Sequence, residues 1–228
     1  MTNWEVIIFM KNRLSKLTTI ILSILTIYSV LMLSTLVVTK SNFIYYFDIN
    51  YLNIPKMSGL NIGEIKLNYN YTIDYLFDNS ISEFKPPTLS SSEDGSQHFF
   101  EVRNLFNLGT KLLILSLIIC SVLGFIMRNY KLWYMFLKYS AIILVSIPVA
   151  SLALLKVDFT KAFTLFHKIM FNNDKWLLDP VTDPIINIMP EEFFAHCGIA
   201  IIVISTILGV ILFLLYRFIH RKQICSNK

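Results

Sequence analysis

A chain of 228 residues that is 55% hydrophobic, with a mean hydropathy of +0.59, is too apolar for a soluble domain and reads as a polytopic membrane protein. Its net charge of +5 comes from basic clusters flanking apolar stretches, so it reports topology and gives no ground for nucleic-acid binding. The three cysteines, Cys120, Cys197 and Cys225, fall in a span, at a span end and in the tail, which excludes a disulfide framework.

Crossing the ~30 Å hydrocarbon core takes about 20 mostly apolar residues in a helix. Residues 1–16 carry Lys11, Arg13 and Lys16 and precede a first span at 17–39. That span is uncharged from Leu17 to Val38 and no A-x-A pattern follows it, so it reads as a retained anchor. No lipobox precedes an early Cys, so the chain does not read as a lipoprotein itself. Residues 40–104 form the first outer segment. Within it, 41–54 hold Phe and Tyr pairs and suggest a short extended piece or an aromatic surface against lipid headgroups. Ile65, Tyr69, Thr72, Ile73, Leu76 and Phe77 recur at helical spacing and predict an amphipathic helix over 61–78. Lys85-Pro86-Pro87 breaks any helix, and Ser90-Ser91-Ser92-Glu93 looks like a cap. From His98 the helical pattern runs without a breaker into a second span at 105–127, where Lys111 can snorkel.

Arg128 and Lys131 fill the link 128–131, and a third span follows at 132–155 with Lys138 inside it. Ser146, Ala150 and Ser151 around Pro148 could leave room for acyl chains, or simply pack helices. The second outer segment is 156–193. Ala162 to Phe171 suits a helix at the interface. Asp183 before Pro184 predicts a short helix capped by its own carboxylate. Pro190-Glu191-Glu192 launches a fourth span at 194–216, with acids at the positive end of the helix dipole. The tail 217–228 adds Arg217, Arg221, Lys222 and Lys228. Four spans put all three basic groups on one side, so both termini are expected to be cytoplasmic. Every Asp and Glu except Glu5 then falls in the two opposite-side segments. The expected fold is an all-α, four-span plasma-membrane protein with a small, mostly helical extracytoplasmic cap.

The outer segments hold the groups able to do chemistry. His98 and His167 each sit just above a membrane helix in an acid-bearing stretch, and imidazole titrates near neutral pH. They could equally be interfacial histidines bonded to backbone or water. A metal site lacks an H-E-x-x-H or a Cys cluster, and a serine enzyme using Ser90, Ser91 or Ser92 lacks a G-x-S-x-G elbow. His196 next to Cys197 does not make a nucleophile pair, because helix neighbours do not face each other. His220 reads as part of the basic flank, and Trp176 as a packing residue. Asp179, Asp183, Glu191 and Glu192 read first as turn caps or dipole partners.

Two of these stretches resemble one family. Leu89-Ser90-Ser91-Ser92-Glu93-Asp94-Gly95-Ser96-Gln97-His98-Phe99-Phe100-Glu101-Val102-Arg103 is similar to the first motif of the bacterial lipoprotein intramolecular transacylases (Lit): a Ser-Glu pair, a His five residues on, then an acid, Val and a base. Phe163 to Phe194 resembles the second motif: Phe-His, an aromatic cluster, Trp, two Asp, Pro-Glu and Phe-Phe. The four-span order matches as well. The resemblance implies transfer of the sn-2 acyl chain of a diacylglyceryl lipoprotein cysteine to its own α-amine, giving the lyso form. It implies His98 and His167 as catalytic residues, a lipoprotein substrate among membrane lipids, an outer-leaflet site, and neither cofactor nor metal. On that basis His167 is assigned the base role and His98 the oxyanion or acid role, and the reverse is also open. Glu93 and Asp179 or Asp183 are candidates to orient the rings, and Arg103 to contact a carbonyl. A lipid-ester hydrolase and a non-enzymatic accessory or sensor protein are the alternatives.

Overall fold

In a computed structural model, residues 3–128, 133–155 and 158–226 are described, with side chains over 15–128, 133–147 and 158–225. Every regular element among them is a helix. They are α1 (Asn3–Lys40), α2 (Asn42–Tyr51), α3 (Ile54–Ser58), α4 (Ile62–Phe77), α5 (Glu93–Met127), α6 (Met135–Leu155), α7 (Phe159–Met170), α8 (Ile185–Ile188) and α9 (Glu191–Ser226). Helices α1, α5 and α9 are long and apolar enough to cross a membrane. Helix α6, 21 residues long and apolar, corresponds to the remaining expected span. The expected start of that span at Leu132, and Lys131 in the link, lie outside the described residues, as do Lys228 and the side chains of Lys11, Arg13, Pro148, Ala150 and Ser151.

The chain divides into two units. One comprises 1–34, 111–151 and 202–228. Its helices approach through small residues and hydroxyls, which let backbones come close. Ser29 and Ser116 share a 2.7 Å hydrogen bond, Ser205 donates to Ser34 at 3.1 Å, and Gly209 faces Leu144 too closely for a Cβ. Ser146 turns its hydroxyl back to the Ile143 carbonyl and is exposed.

The second unit, 35–110 and 152–201, has its own aromatic core. Tyr45 stacks on Tyr69 with ring centroids 3.5 Å apart, and Phe193 meets both edge-on. The Tyr45 hydroxyl keeps its polar end satisfied by donating to the Ile188 carbonyl at 2.8 Å. Helix α4 begins with a capping box in which Asn61 and Glu64 serve each other's backbone N–H, so it starts where the sequence places it. Buried Asn68 donates to Thr88 Oγ1 and accepts from Thr88 N, fixing the irregular stretch after Lys85-Pro86-Pro87.

Two expectations are corrected. Residues 42–51 are helical, which overturns the extended alternative alone, with Tyr45, Asp48 and Ile49 inward and Phe43, Phe47 and Tyr51 outward. Aromatics on both faces concealed the 3.6-residue period. Asp183 does not cap its own short helix; Pro184 holds that position without a side-chain bond. The Asp183 carboxylate instead accepts from Ser92 N at 2.7 Å, at the start of α5. It is 2% exposed and also takes the Thr182 hydroxyl at 2.8 Å. An anion suits a helix N-terminus, where backbone N–H groups lack partners. Ser92 Oγ accepts from Gly95 N at 2.9 Å and completes the cap expected from the serine run.

Gly95 is what lets Asp183 in, because a Cβ there would collide with its carboxylate oxygen. Gly95→Ala is expected to cost about 1–3 kcal/mol, as overpacked sites do, despite the better helix propensity of Ala. A thermal melt equal to or above that of the parent would contradict this reading of the Asp183 contact.

Candidate active site

The two motif histidines are brought face to face within the second unit. His98 is in the second turn of α5 and His167 in the last turn of α7. Their ring centroids are 5.9 Å apart, and they are 7% and 9% exposed, which is unusually dry for titratable side chains. Aromatic rings supply the walls. Trp176 stacks on His167 at 4.9 Å, Phe163 lies 4.2 Å from it, and Phe166 meets it edge-on at 5.4 Å. Phe171 touches both imidazoles, at 4.9 Å from His98 and 5.8 Å from His167.

One hydrogen bond fixes the tautomer of His167. Its Nδ1 lies 2.8 Å from the Phe163 carbonyl, which can only accept. Nδ1 therefore carries the proton, and Nε2 holds the lone pair. His98 differs: its Nδ1 is buried and has no partner among the described residues. Desolvation, reinforced by the nearby His167, pushes the His98 pKa down to about 4, against an opposing pull from Glu101. His167 is also lowered by burial, with the Phe163 carbonyl and Glu191 acting the other way. Both rings are thus neutral at pH 7, and a charge on one opposes a charge on the other.

The segment after α7 is tied to one face of α5. Asn173 donates to both carboxylate oxygens of Glu101 at 3.1 Å, and Gln97 donates to the same group at 3.3 Å. Lys175 pairs with Asp94 at 3.4 Å, and Trp176 Nε1 donates to the Asn173 carbonyl at 3.0 Å. Positions 94, 97, 98 and 101 share one helix face, so these bonds hold the Trp176 side of the pocket beside His98.

The proposed supporting residues are dispersed. Arg103 is 5% exposed; its Nε donates to the Tyr75 carbonyl at 2.7 Å and its guanidinium lies 3.4 Å above the Tyr75 ring. Its Nη2 is buried without a partner among the described residues. Glu93 is exposed in the first turn of α5. Asp179 closes its own turn through Val181 N at 2.7 Å, and Asp183 holds Ser92 as described. Among the described residues the hydrogen bonds of these two aspartates therefore run to backbone and hydroxyl groups rather than to an imidazole. Ser90 donates to the Thr182 carbonyl and Ser91 bonds Ser96, so the serines serve the cap. Glu101, three residues after His98, is the carboxylate joined to the pocket, and its i,i+3 spacing was the available signal. A second polar pair also escaped the sequence: His196 Nδ1 lies 2.9 Å from both oxygens of Asp48, whose side chain is fully buried. It ties α2 to the first turns of α9. Among the described residues no three His, Cys, Asp or Glu side chains are grouped to hold a metal ion.

Solved structures carry the same fold. A membrane-integral lipoprotein intramolecular transacylase from Bacillus cereus superposes with a TM-score of 0.87 at 32% identity, over 93% of this chain and 98% of that one. Structures of the same protein with one histidine replaced by Arg or by Ala give TM-scores of 0.87 and 0.84 at 31% identity, covering 98% and 95% of this chain and 100% and 98% of theirs. No curated protein sequence matches the chain. The sequence pattern of lipoprotein intramolecular transacylases matches residues 20–194, more than half of the chain, and with these structures it establishes that the chain belongs to that family.

Proposed function

We propose that this chain catalyses intramolecular acyl transfer within a diacylglyceryl-modified lipoprotein. The sn-2 acyl group leaves the glycerol oxygen for the free α-amine of the same cysteine. The observation that carries the reading is the dry, neutral histidine pair, in which the Phe163 carbonyl leaves the lone pair on His167 Nε2. In the proposed step the neutral amine nitrogen attacks the ester carbonyl carbon and His167 Nε2 takes the amine proton. An oxyanion develops on the carbonyl oxygen, and His98 is assigned to donate an N–H to it. As the carbon–oxygen bond breaks, His167 returns the proton to the glycerol oxygen. An ester becomes an amide, and no water or cofactor is consumed.

Neutrality favours one of the open roles over the other. A ring whose pKa is near 4 is not an imidazolium at pH 7, so His98 suits an N–H donor better than a proton-delivering acid. Donor and acceptor belong to one molecule, so orientation alone can supply ~7–11 kcal/mol. The aromatic walls around His167 favour the amine over water as nucleophile. The basic groups at Lys11, Arg13 and Lys16, at Arg128 and after 216 support a reading with both termini in the cytoplasm and this pocket at the outer leaflet.

The test is the mass spectrum of a lipoprotein's N-terminal peptide from a host lacking other N-acylating enzymes. With this chain, the peptide mass stays the same while fragmentation places one acyl chain on nitrogen. His167→Ala and His98→Ala are expected to lose this by at least ~100-fold while still accumulating as folded membrane protein. Loss of one acyl mass would indicate hydrolysis instead, and full activity in both variants would overturn the assignment. The pH profile is a separate check. Both imidazoles titrate below their ordinary 6.5, whereas the attacking amine deprotonates near ~7.7–8.0. The rate is therefore expected to rise between pH 6.5 and 8 and then level off. An alkaline fall inside that window would require a protonated histidine and would contradict the mechanism.

A further inference from the structure

The other unit carries positive charge with almost nothing to balance it. Of its stretches, only 1–34 contains a carboxylate side chain, Glu5; 111–151 and 202–228 contain none. Cations there do not merely scatter along the ends of helices. Lys138, one turn into α6, converges with Arg217, His220 and Arg221 of α9 on a cavity of about 410 Å³. Among the described residues neither Lys138 nor Arg217 nor Arg221 has an ion-pair partner.

The walls are shaped and partly rigid. Tyr134 is 1% exposed, and its hydroxyl lies 2.8 Å from His220 Nδ1. His220 stacks on Tyr216 at 5.5 Å with planes 17° apart, and Tyr134 lies 5.9 Å from the same ring. Lys138 Nζ sits 5.9 Å over Tyr216. Phe213 and Ile224 supply apolar lining above and below the arginines on the same face of α9. The cavity thus offers fixed aromatic walls, two permanent guanidiniums and an ammonium, beside helices that cross a membrane.

We propose that this cavity binds the headgroup of an anionic glycerophospholipid, with the phosphodiester between Arg217, Arg221 and Lys138 and the glycerol end against Phe213. Guanidinium forks match phosphate geometry, and basic pockets between membrane helices suit such headgroups. Flanking charge that only sets topology needs neither a cavity nor aromatic walls. The diacylglyceryl substrate proposed above bears no phosphate at its modified cysteine, so this is a separate lipid site and its test is independent of activity.

The full chain in neutral detergent is titrated with phosphatidylglycerol or phosphatidylcholine, and retained lipid is read by native mass spectrometry. The parent is expected to retain phosphatidylglycerol preferentially. Arg217→Gln with Arg221→Gln should lose retention about fivefold for each cation removed. Lys56→Gln with Lys85→Gln, the same charge change at exposed positions of the other unit, should retain it. Lys138→Gln alone serves if the double variant does not fold. Equal retention of the two lipids, or undiminished phosphatidylglycerol in the Arg217 and Arg221 variant, would overturn the proposal. So would inorganic phosphate that displaces the lipid and matches its effect on the melting temperature, since the site would then be one for the free anion.

Discussion

A carboxylate that caps a helix it does not belong to is the constraint on which the pocket rests. Asp183 lies 91 residues beyond Ser92, yet its buried oxygen accepts from Ser92 N where α5 begins. A buried carboxylate is costly unless hydrogen-bonded, and here backbone and hydroxyl donors meet that need. The contact also requires Gly95, since any larger residue would fill the space the carboxylate occupies. With the start of α5 pinned in this way, His98 and Glu101 are presented on one face in fixed register. The Glu101–Asn173 pair and the Lys175–Asp94 pair then bring the segment after α7 to the same face.

What results is a site that sets protonation by dryness more than by neighbouring charge. Burial is the largest influence on both histidines, and it keeps each neutral where an exposed imidazole would be partly charged. The Phe163 carbonyl then decides where the proton of His167 sits. Base strength, tautomer and exclusion of water thus come from a few aromatic rings and one main-chain oxygen. An enzyme whose donor and acceptor share one molecule needs little more than this, because holding the reactants supplies much of the acceleration.

Much of this was legible in the sequence where a single period dominates. Ile65 through Phe77 placed α4 at 61–78 against an observed Ile62–Phe77, and the unbroken pattern after His98 anticipated one continuous α5. The helix expected at Ala162 to Phe171 is Phe159–Met170, extended by an Asp158 cap. Helix α2 was obscured because Phe43, Phe47 and Tyr51 make its outer face as apolar as its inner one. The partners of Asp183, and the pairing of Asp48 with His196, depend on contacts across 91 and 148 residues that no local pattern encodes. Family resemblance marked His98 and His167, but not that Trp176 would lie flat against the second of them. Glu101 lies at helical spacing from His98, but its link to the pocket runs through Asn173, 72 residues away, which no local pattern encodes.

The proposed mechanism depends on the state of the two imidazoles. The direct measurement is the set of imidazole ¹⁵N chemical shifts of His98 and His167 in the full chain, reconstituted in lipid bilayers at pH 7. Two neutral rings are expected, with His167 protonated on Nδ1 and bearing a lone pair on Nε2. An imidazolium at either position, or a proton on Nε2 of His167, would contradict that mechanism.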